Sequence, residues 1–389
     1  MFSTSSTGYG AQHNARTLAA VAGDSARHRF LVGTCSLRQD NAIEVLEFDE
    51  ETNTIACLGK LEHPAEMWCV APSPYDARRL AVSASKAGGG CATSIYRTDF
   101  ETWGRAAADE YDDDDDDGGP QLRPSDHANT WLPNEAPKEG KLNCEATLES
   151  DGYARSVLWC PKEHGGPDML ATLDATTLQR WDATSPSKAS STVALEGACA
   201  AAAWSPHSSD EVAVAGRFGV TTFDSRSCTA AQRLPWQMAS TLSVDYNPNK
   251  PFTLAAAHDD GGITFWDART PLRPLKVLRG HGHDCTQVLF NRFHDQLVIS
   301  AGTDQIANLW RVSSISSTPV MEAPLVSEED EEDVVDAADV LVRSFSQHDE
   351  SINAVSWSAC DAWVFASLSY DGRVLVHHVP GPEKYKILL

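Results

Sequence analysis

No stretch of this 389-residue chain approaches the roughly 18 consecutive apolar residues that a membrane-spanning helix requires, so direct membrane insertion is not expected. Basic residues are scarce: 31 Lys and Arg stand against 55 Asp and Glu, a net charge of −24. That balance argues against nucleic-acid binding, which needs a basic footprint, and against docking on anionic lipid. The opening residues Met1 to Gly8 are polar and uncharged, so no secretory signal is expected there. The ten cysteines include no C-x-x-C pair and no Cys/His cluster at zinc spacing. Cys69 and Cys160 fall within apolar stretches, where a free thiol behaves as a small hydrophobe. Reduced thiols in a cytoplasmic protein are the expectation. Catalytic signatures are missing as well: there is no G-x-S-x-G elbow, H-E-x-x-H or Walker loop, and no G-x-G-x-x-G at a strand–helix junction.

What the chain does contain is a repeat. Its clearest copy runs Ser243-Val244-Asp245-Tyr246-Asn247-Pro248, then Thr253 to Ala257, then Asp259-Asp260-Gly261-Gly262, then Ile263-Thr264-Phe265-Trp266-Asp267. The aromatics Trp181, Phe223, Trp266 and Trp310 stand 42, 43 and 44 residues apart, and Trp159, Trp204, Tyr246 and Phe290 are separated by 45, 42 and 44. A period in the low forties with four strands per period is the signature of a WD-repeat β-propeller blade. Such blades cannot bury their faces singly, so they close into one ring.

Seven small-residue strands are legible: Phe30 to Thr34, Leu80 to Ala84, Met169 to Leu173, Glu211 to Ala215, Thr253 to Ala257, Leu297 to Ala301 and Val364 to Leu368. Each runs apolar or alternates over about five residues, as buried strands do. The expected fold is therefore all-β: a single seven-bladed WD-repeat β-propeller spanning 1–389. Two intervals break the period, at 100–142 and 313–340. Both contain acidic tracts, Asp109 to Asp117 and Glu328 to Asp333, which hold fourteen of the acidic residues and leave −10 for the rest of the chain. Charge blocks with few aromatics cannot repay the entropy of ordering, so both are expected to be disordered insertion loops.

Within a complete blade a loop His, a Ser or Thr, an Asp in a turn and the Trp can form a buried hydrogen-bonded chain. In the sixth unit the candidate set is His283, Ser300, Asp304 and Trp310; the seventh offers His348, Ser367 and Asp371, with His377 where the Trp would stand. The fifth has Asp260 and Trp266 without an obvious His. Units one to four are more degenerate, which predicts irregular outer strands and weaker packing there. These side chains are read as structural braces rather than a Ser/His/Asp catalytic triad, which needs an exposed nucleophile. His281-x-His283 and His377-His378 lack a third ligand at fixed spacing, so no metal is expected. No cofactor is expected either.

At the C-terminus the run Trp363 to Val374, closing on Val379-Pro380 and Lys384 to Leu389, resembles the last blade of the EARP and GARP complex-interacting protein family. Ala15-Arg16-Thr17-Leu18 and Arg29 to Leu37 are similar to that family's first blade, and Glu66-Met67-Trp68, Trp204 to His207, Asp245 to Lys250 and Phe265 to Arg269 fit it in order. The resemblance implies a non-enzymatic scaffold that binds the GARP and EARP vesicle-tethering complexes. It also implies a peripheral cytoplasmic location at the trans-Golgi network and recycling endosomes, supporting retrograde transport and endocytic recycling. The long Asp109 to Asp117 tract and the Ala-rich third and fourth units depart from the family pattern.

Partner-binding hot spots tend to be Trp, Tyr or Arg, and a propeller offers loops at the channel mouth; Trp68, Tyr370 and Arg373 are the candidates. Two other readings compete. Trp266-Asp267-Ala268-Arg269 fits the W-D-x-R pattern of propellers that serve as substrate receptors of a cullin–RING ubiquitin ligase. The acidic tracts suit a chaperone for histones or other basic tails. A monomeric disc within a larger complex is expected, its ring closed by a terminal strand at Tyr385 to Leu389.

Overall fold

The computed structural model describes residues 6–37, 40–86, 90–99, 137–148, 154–161, 168–217, 219–317 and 339–388. Both acidic tracts, and most of each expected insertion, lie outside the described residues. The rest forms seven antiparallel sheets of four strands, one of them extended by a fifth. The inner strands touch in sequence order and the last touches the first, so the sheets close into a seven-bladed ring.

From inside outward, blade one holds Ala15–Ala20, His28–Thr34, Asn41–Asp49 and Thr54–His63. Blade two holds Met67–Pro72, Arg79–Ser85, Cys91–Arg97 and Asn143–Leu148, and blade three Ser156–Trp159, Met169–Leu173, Thr177–Asp182 and Ser191–Ala194. Blade four follows with Cys199–Trp204, Glu211–Gly216, Gly219–Asp224 and Thr229–Pro235, then blade five with Thr241–Tyr246, Thr253–His258, Gly262–Asp267 and Lys276–Arg279. Blade six comprises Cys285–Phe290, Leu297–Gly302, Ala307–Val312 and Asp339–Phe345; blade seven comprises Ile352–Trp357, Val364–Ser369 and Arg373–His378.

The small-residue segments are the second strands, and their composition follows from where they sit. Every residue of Thr253–His258 is buried, because alternate side chains face opposite neighbours. Leu254 and Ala256 pack towards blade four, while Ala255 and Ala257 pack with Cys285, Val288 and Phe290 of blade six. Blades meet closely here, so enlarging one of these alanines would overpack the interface, at a cost of about 1–3 kcal/mol.

Inner strands also brace one another around the channel. The side chains of Thr17, Ser243 and Gln287 accept hydrogen bonds from the backbone N–H groups of Val70, Val288 and Val355 in the next blade. One turn of the pleat further along, Asp245 and Ser356 accept from Phe290 and Ala20. These contacts satisfy donors that an edge strand would otherwise leave unpaired, and the Ser356–Ala20 contact carries the belt across the seam between the chain's two ends.

Ring closure differs from expectation. Thr7–Gly10 forms the outer strand of blade seven, paired antiparallel with Arg373 to Val376. Tyr385 to Leu388 is not a strand. It belongs to α1 (Gly381–Leu388), which starts with Gly-Pro, carries Glu383 in its first turn and Lys386 in its last, an arrangement favoured at helix ends. Ile387 packs against the shared core of blades six and seven, and Glu383 pairs with Arg311 at 2.6 Å.

Two further expectations need correction. Inside the 100–142 interval Lys138–Gly140 pairs in parallel with Gly59 to Leu61 as a fifth strand on blade one. The 313–340 interval likewise holds the 3-10 turn Ser313–Ile315 and the start of Asp339–Phe345. The outer ladders of the early blades are the more irregular, as expected: the register to the outer strand slips in three of blades one to four and in one of blades five to seven. Blade one has the longest outer strand, Thr54–His63.

Candidate interaction surface and buried polar networks

The blade-six network assembles, but around a different histidine. Trp310 Nε1 donates to Ser300 Oγ at 2.9 Å, Ser300 Oγ lies 2.8 Å from His281 Nε2, and His281 Nδ1 lies 3.1 Å from Asp304. His283, the residue expected, is exposed. The glycines explain the choice: a Cβ on Gly302 would sit 2.7 Å from the His281 ring, and one on Gly280 would sit 2.5 Å from Trp310. Burial holds His281 below its ordinary pKa, opposed by Asp304. Ser300 has no exposed surface, so this Ser–His–Asp arrangement presents no nucleophile to a substrate.

In blade seven His348, Ser367 and Asp371 join a longer chain. Ser367 Oγ lies 2.7 Å from both His348 Nε2 and His377 Nε2; His348 Nδ1 reaches Ser369 Oγ at 2.9 Å, and Ser369 donates to Asp371. The donors can be ordered. With the Ser369 O–H directed at Asp371, His348 Nδ1–H donates to Ser369, Ser367 donates to His348 Nε2, and His377 Nε2–H donates to Ser367. Both imidazoles are then neutral, with His377 Nδ1 accepting from Ser6 Oγ at 3.0 Å. Burial pushes His348 down to about 4, with Arg373 adding to the shift, and takes His377 well below its ordinary value.

Sequence reasoning missed two variants. In blade five His258 reaches Thr264 at 2.7 Å and Trp266 donates to the same hydroxyl at 2.8 Å, so the hydroxyl has moved from the second strand to the third. Blade three keeps the Trp181–Thr172 bond at 2.8 Å without a histidine.

At the channel mouth the inner strands share a feature. In six blades the ladder skips one residue near the strand start, namely Arg16, Trp68, Ala200, Leu242, Thr286 or Asn353. The matching register places exposed Arg155 there in blade three. A bulge re-aims the skipped side chain; from this position Thr286 and Asn353 donate to carbonyls of the next blade, those of Ile352 and Ala15. Trp68, one of the three expected contacts, is half-buried: its Nε1 donates to Ser85 at 3.0 Å and the Arg16 guanidinium lies 4.2 Å over its ring, itself paired with Glu66 at 3.3 Å.

Tyr370 lies at the same end, linked through the backbone. Its carbonyl accepts from Ala15, beside Arg16, and its N–H donates to Ser351; its side chain is 45% exposed. Arg373 pairs with exposed Asp349 at 3.0 Å. Leu37 and Met238, at 86% and 73%, are also exposed. This end of the ring thus carries an Arg-stacked indole, a phenol and two arginines that are each paired with a carboxylate. Arg269 of the W-D-x-R run is exposed, chelates Asp267 through two bonds and lies 5.4 Å over the Phe252 ring.

Comparison with known proteins gives a consistent picture. The family model described as EIPR1 beta-propeller matches residues 3–103 and 131–310, and a WD domain, G-beta repeat model matches 339–378. The chain is 34% identical to an EARP-interacting protein homolog of Gekko japonicus and 32% identical to EARP and GARP complex-interacting protein 1 of Homo sapiens, each over 98% of both chains. It is 29% identical to WD repeat-containing protein DWA2 of Arabidopsis thaliana, over 97% of both.

Proposed function

The chain belongs to the EIPR1 beta-propeller family, and from that premise we propose that it is a non-enzymatic scaffold engaging the EARP and GARP complexes. The observation that carries this reading is the end-to-end match to relatives named for those complexes. The reading extends to a peripheral place on endosomal and trans-Golgi membranes, where the disc supports retrograde transport and recycling. Among the described residues no helix is long and apolar enough to cross a membrane, which fits recruitment by a protein partner. Trp68, Arg16, Tyr370 and Arg373 form the proposed contact, since large aromatics and arginines give most binding energy per residue.

Purification of the tagged chain from cells tests this directly. Tether subunits should co-purify with the wild type and fall at least tenfold with Trp68→Ala plus Tyr370→Ala, while the melting temperature stays within a few degrees. Wild-type protein that recovers no tether subunit sinks the reading. A second reading, adaptor docking of a ubiquitin ligase, is favoured only by the exposed Arg269. In the same purification Arg269→Glu should leave tether subunits in place; loss of a ligase adaptor instead would support that alternative.

A further inference from the structure

The seam between the first and last blades gathers side chains from both ends of the chain. His28 begins the second strand of blade one, Glu50 follows its third strand, and Asp361 sits in the loop between the first two strands of blade seven. One ligand atom from each lies within 4.8 Å of the other two. We propose that His28, Glu50 and Asp361 bind a divalent transition metal of the zinc type, which clasps blade one to blade seven.

The imidazole is already oriented. Its Nδ1 is engaged by Ser358 Oγ at 2.9 Å, which leaves Nε2 directed at Glu50, 3.9 Å away. A hydrogen bond on the non-ligating nitrogen is how proteins fix the tautomer and angle of a metal-binding histidine. Ser358 is itself buried, so this support is rigid. Phe48 packs edge-on against the ring at 5.7 Å and also lies 5.5 Å from the His378 ring.

Donors around tetrahedral zinc stand about 3.3 Å apart, given bonds of about 2.0–2.2 Å. The present spacing therefore needs to close by about an ångström. Glu50, 42% exposed at its side chain, has the freedom to supply that movement. Two carboxylates balance the charge of the ion, and a fourth position remains for water. The nitrogen donor selects against Mg²⁺ and Ca²⁺, which prefer all-oxygen shells. Nearby Cys360 is not part of the set; its Sγ lies 3.3 Å from Ser358 Oγ.

The test uses the full chain stripped with EDTA and titrated with Zn²⁺ by calorimetry, with thermal melts alongside. One equivalent should bind, and the melting temperature should climb with zinc concentration, as for any ligand of the folded state. His28→Gln, Asp361→Asn and the exposed Glu50→Gln should each weaken binding by at least a hundredfold, and Ser358→Ala by roughly 10- to 100-fold. All four should melt like wild type in EDTA; if a buried-site variant does not, Glu50→Gln alone decides. Absence of saturable binding, or wild-type affinity in Glu50→Gln, overturns the site, the latter placing zinc elsewhere, such as at exposed Cys144 or Cys228. Mg²⁺ should give no shift, and an equal shift from Mg²⁺ also overturns it.

Discussion

Ser300 shows how much one hydroxyl holds in this fold. It accepts from Trp310 Nε1 and donates to His281 Nε2 with no exposed surface of its own. Ser300→Ala leaves Trp310 Nε1 unpartnered and His281 Nε2 with only the 3.4 Å contact from Asn308 Nδ2, and each such loss costs about 1–3 kcal/mol. The expected outcome is a destabilisation of about 2–5 kcal/mol in urea unfolding, whereas Ser300→Thr should recover most of it. A variant within 0.5 kcal/mol of wild type would remove the bracing role assigned to the network. The same scale explains the error over His283. Two histidines flank one glycine, and sequence spacing fits either. Only the room left by Gly302 and Gly280 admits His281 to the interior.

Elements, rather than residues, decide how the ring closes. The strand Thr7–Gly10 contributes a full ladder to blade seven and packs Tyr9 onto the core shared by blades one and seven. Helix α1 has no buried residue and adds to the disc one ion pair, a Lys384 contact 5.6 Å over the Trp363 ring and partial burial of Ile387. Truncation after Pro380 should therefore cost only about 1–2 kcal/mol, the scale of a single partly buried pair and a partly buried side chain. Deleting residues 1–10 should lower the melting temperature several times further. Equal losses would contradict the assignment of closure to the N-terminal strand. The run Tyr385 to Leu388 reads as a strand by composition, yet Gly381-Pro382 preset a helical start and no sheet edge remains for it in blade seven.

For the whole molecule, burial of neutral histidines sets the response to acid. His258 and His348 are held down to about 4, mainly by desolvation. The unfolded chain thus binds more protons than the folded one between about 4 and 6.5, and stability is lost as pH falls through that window. Asp245 works the other way. Burial raises it to about 7, so the folded state holds its proton longer and this residue costs stability as pH rises from about 4 to 7. The histidines, with His281 and His377 shifted in the same direction, outnumber it. Urea midpoints should fall from pH 7 to pH 5. Asp245→Asn, which keeps an acceptor for Phe290, should raise the midpoint at pH 8 and leave it unchanged at pH 4; a gain at both would remove the titration from the explanation.

The sequence by itself determined the blades. A period near 43 residues and seven small-residue strands follow from local alternation and from the need of each sheet to bury both faces, and both are written in consecutive residues. The family membership was legible for the same reason, since its matching segments run in order along the chain. Tertiary structure decided what depends on residues distant in sequence. Which histidine enters the blade-six network, which terminus closes the ring, and which side chains the inner-strand bulges re-aim are set by free space and strand register. Arg16 covers Trp68 and Tyr370 bonds to Ala15 only because closure brings blades seven, one and two together. His28 and Asp361 share the seam on the same ground: a ring joins its ends in space, and no spacing along a linear chain records that contact.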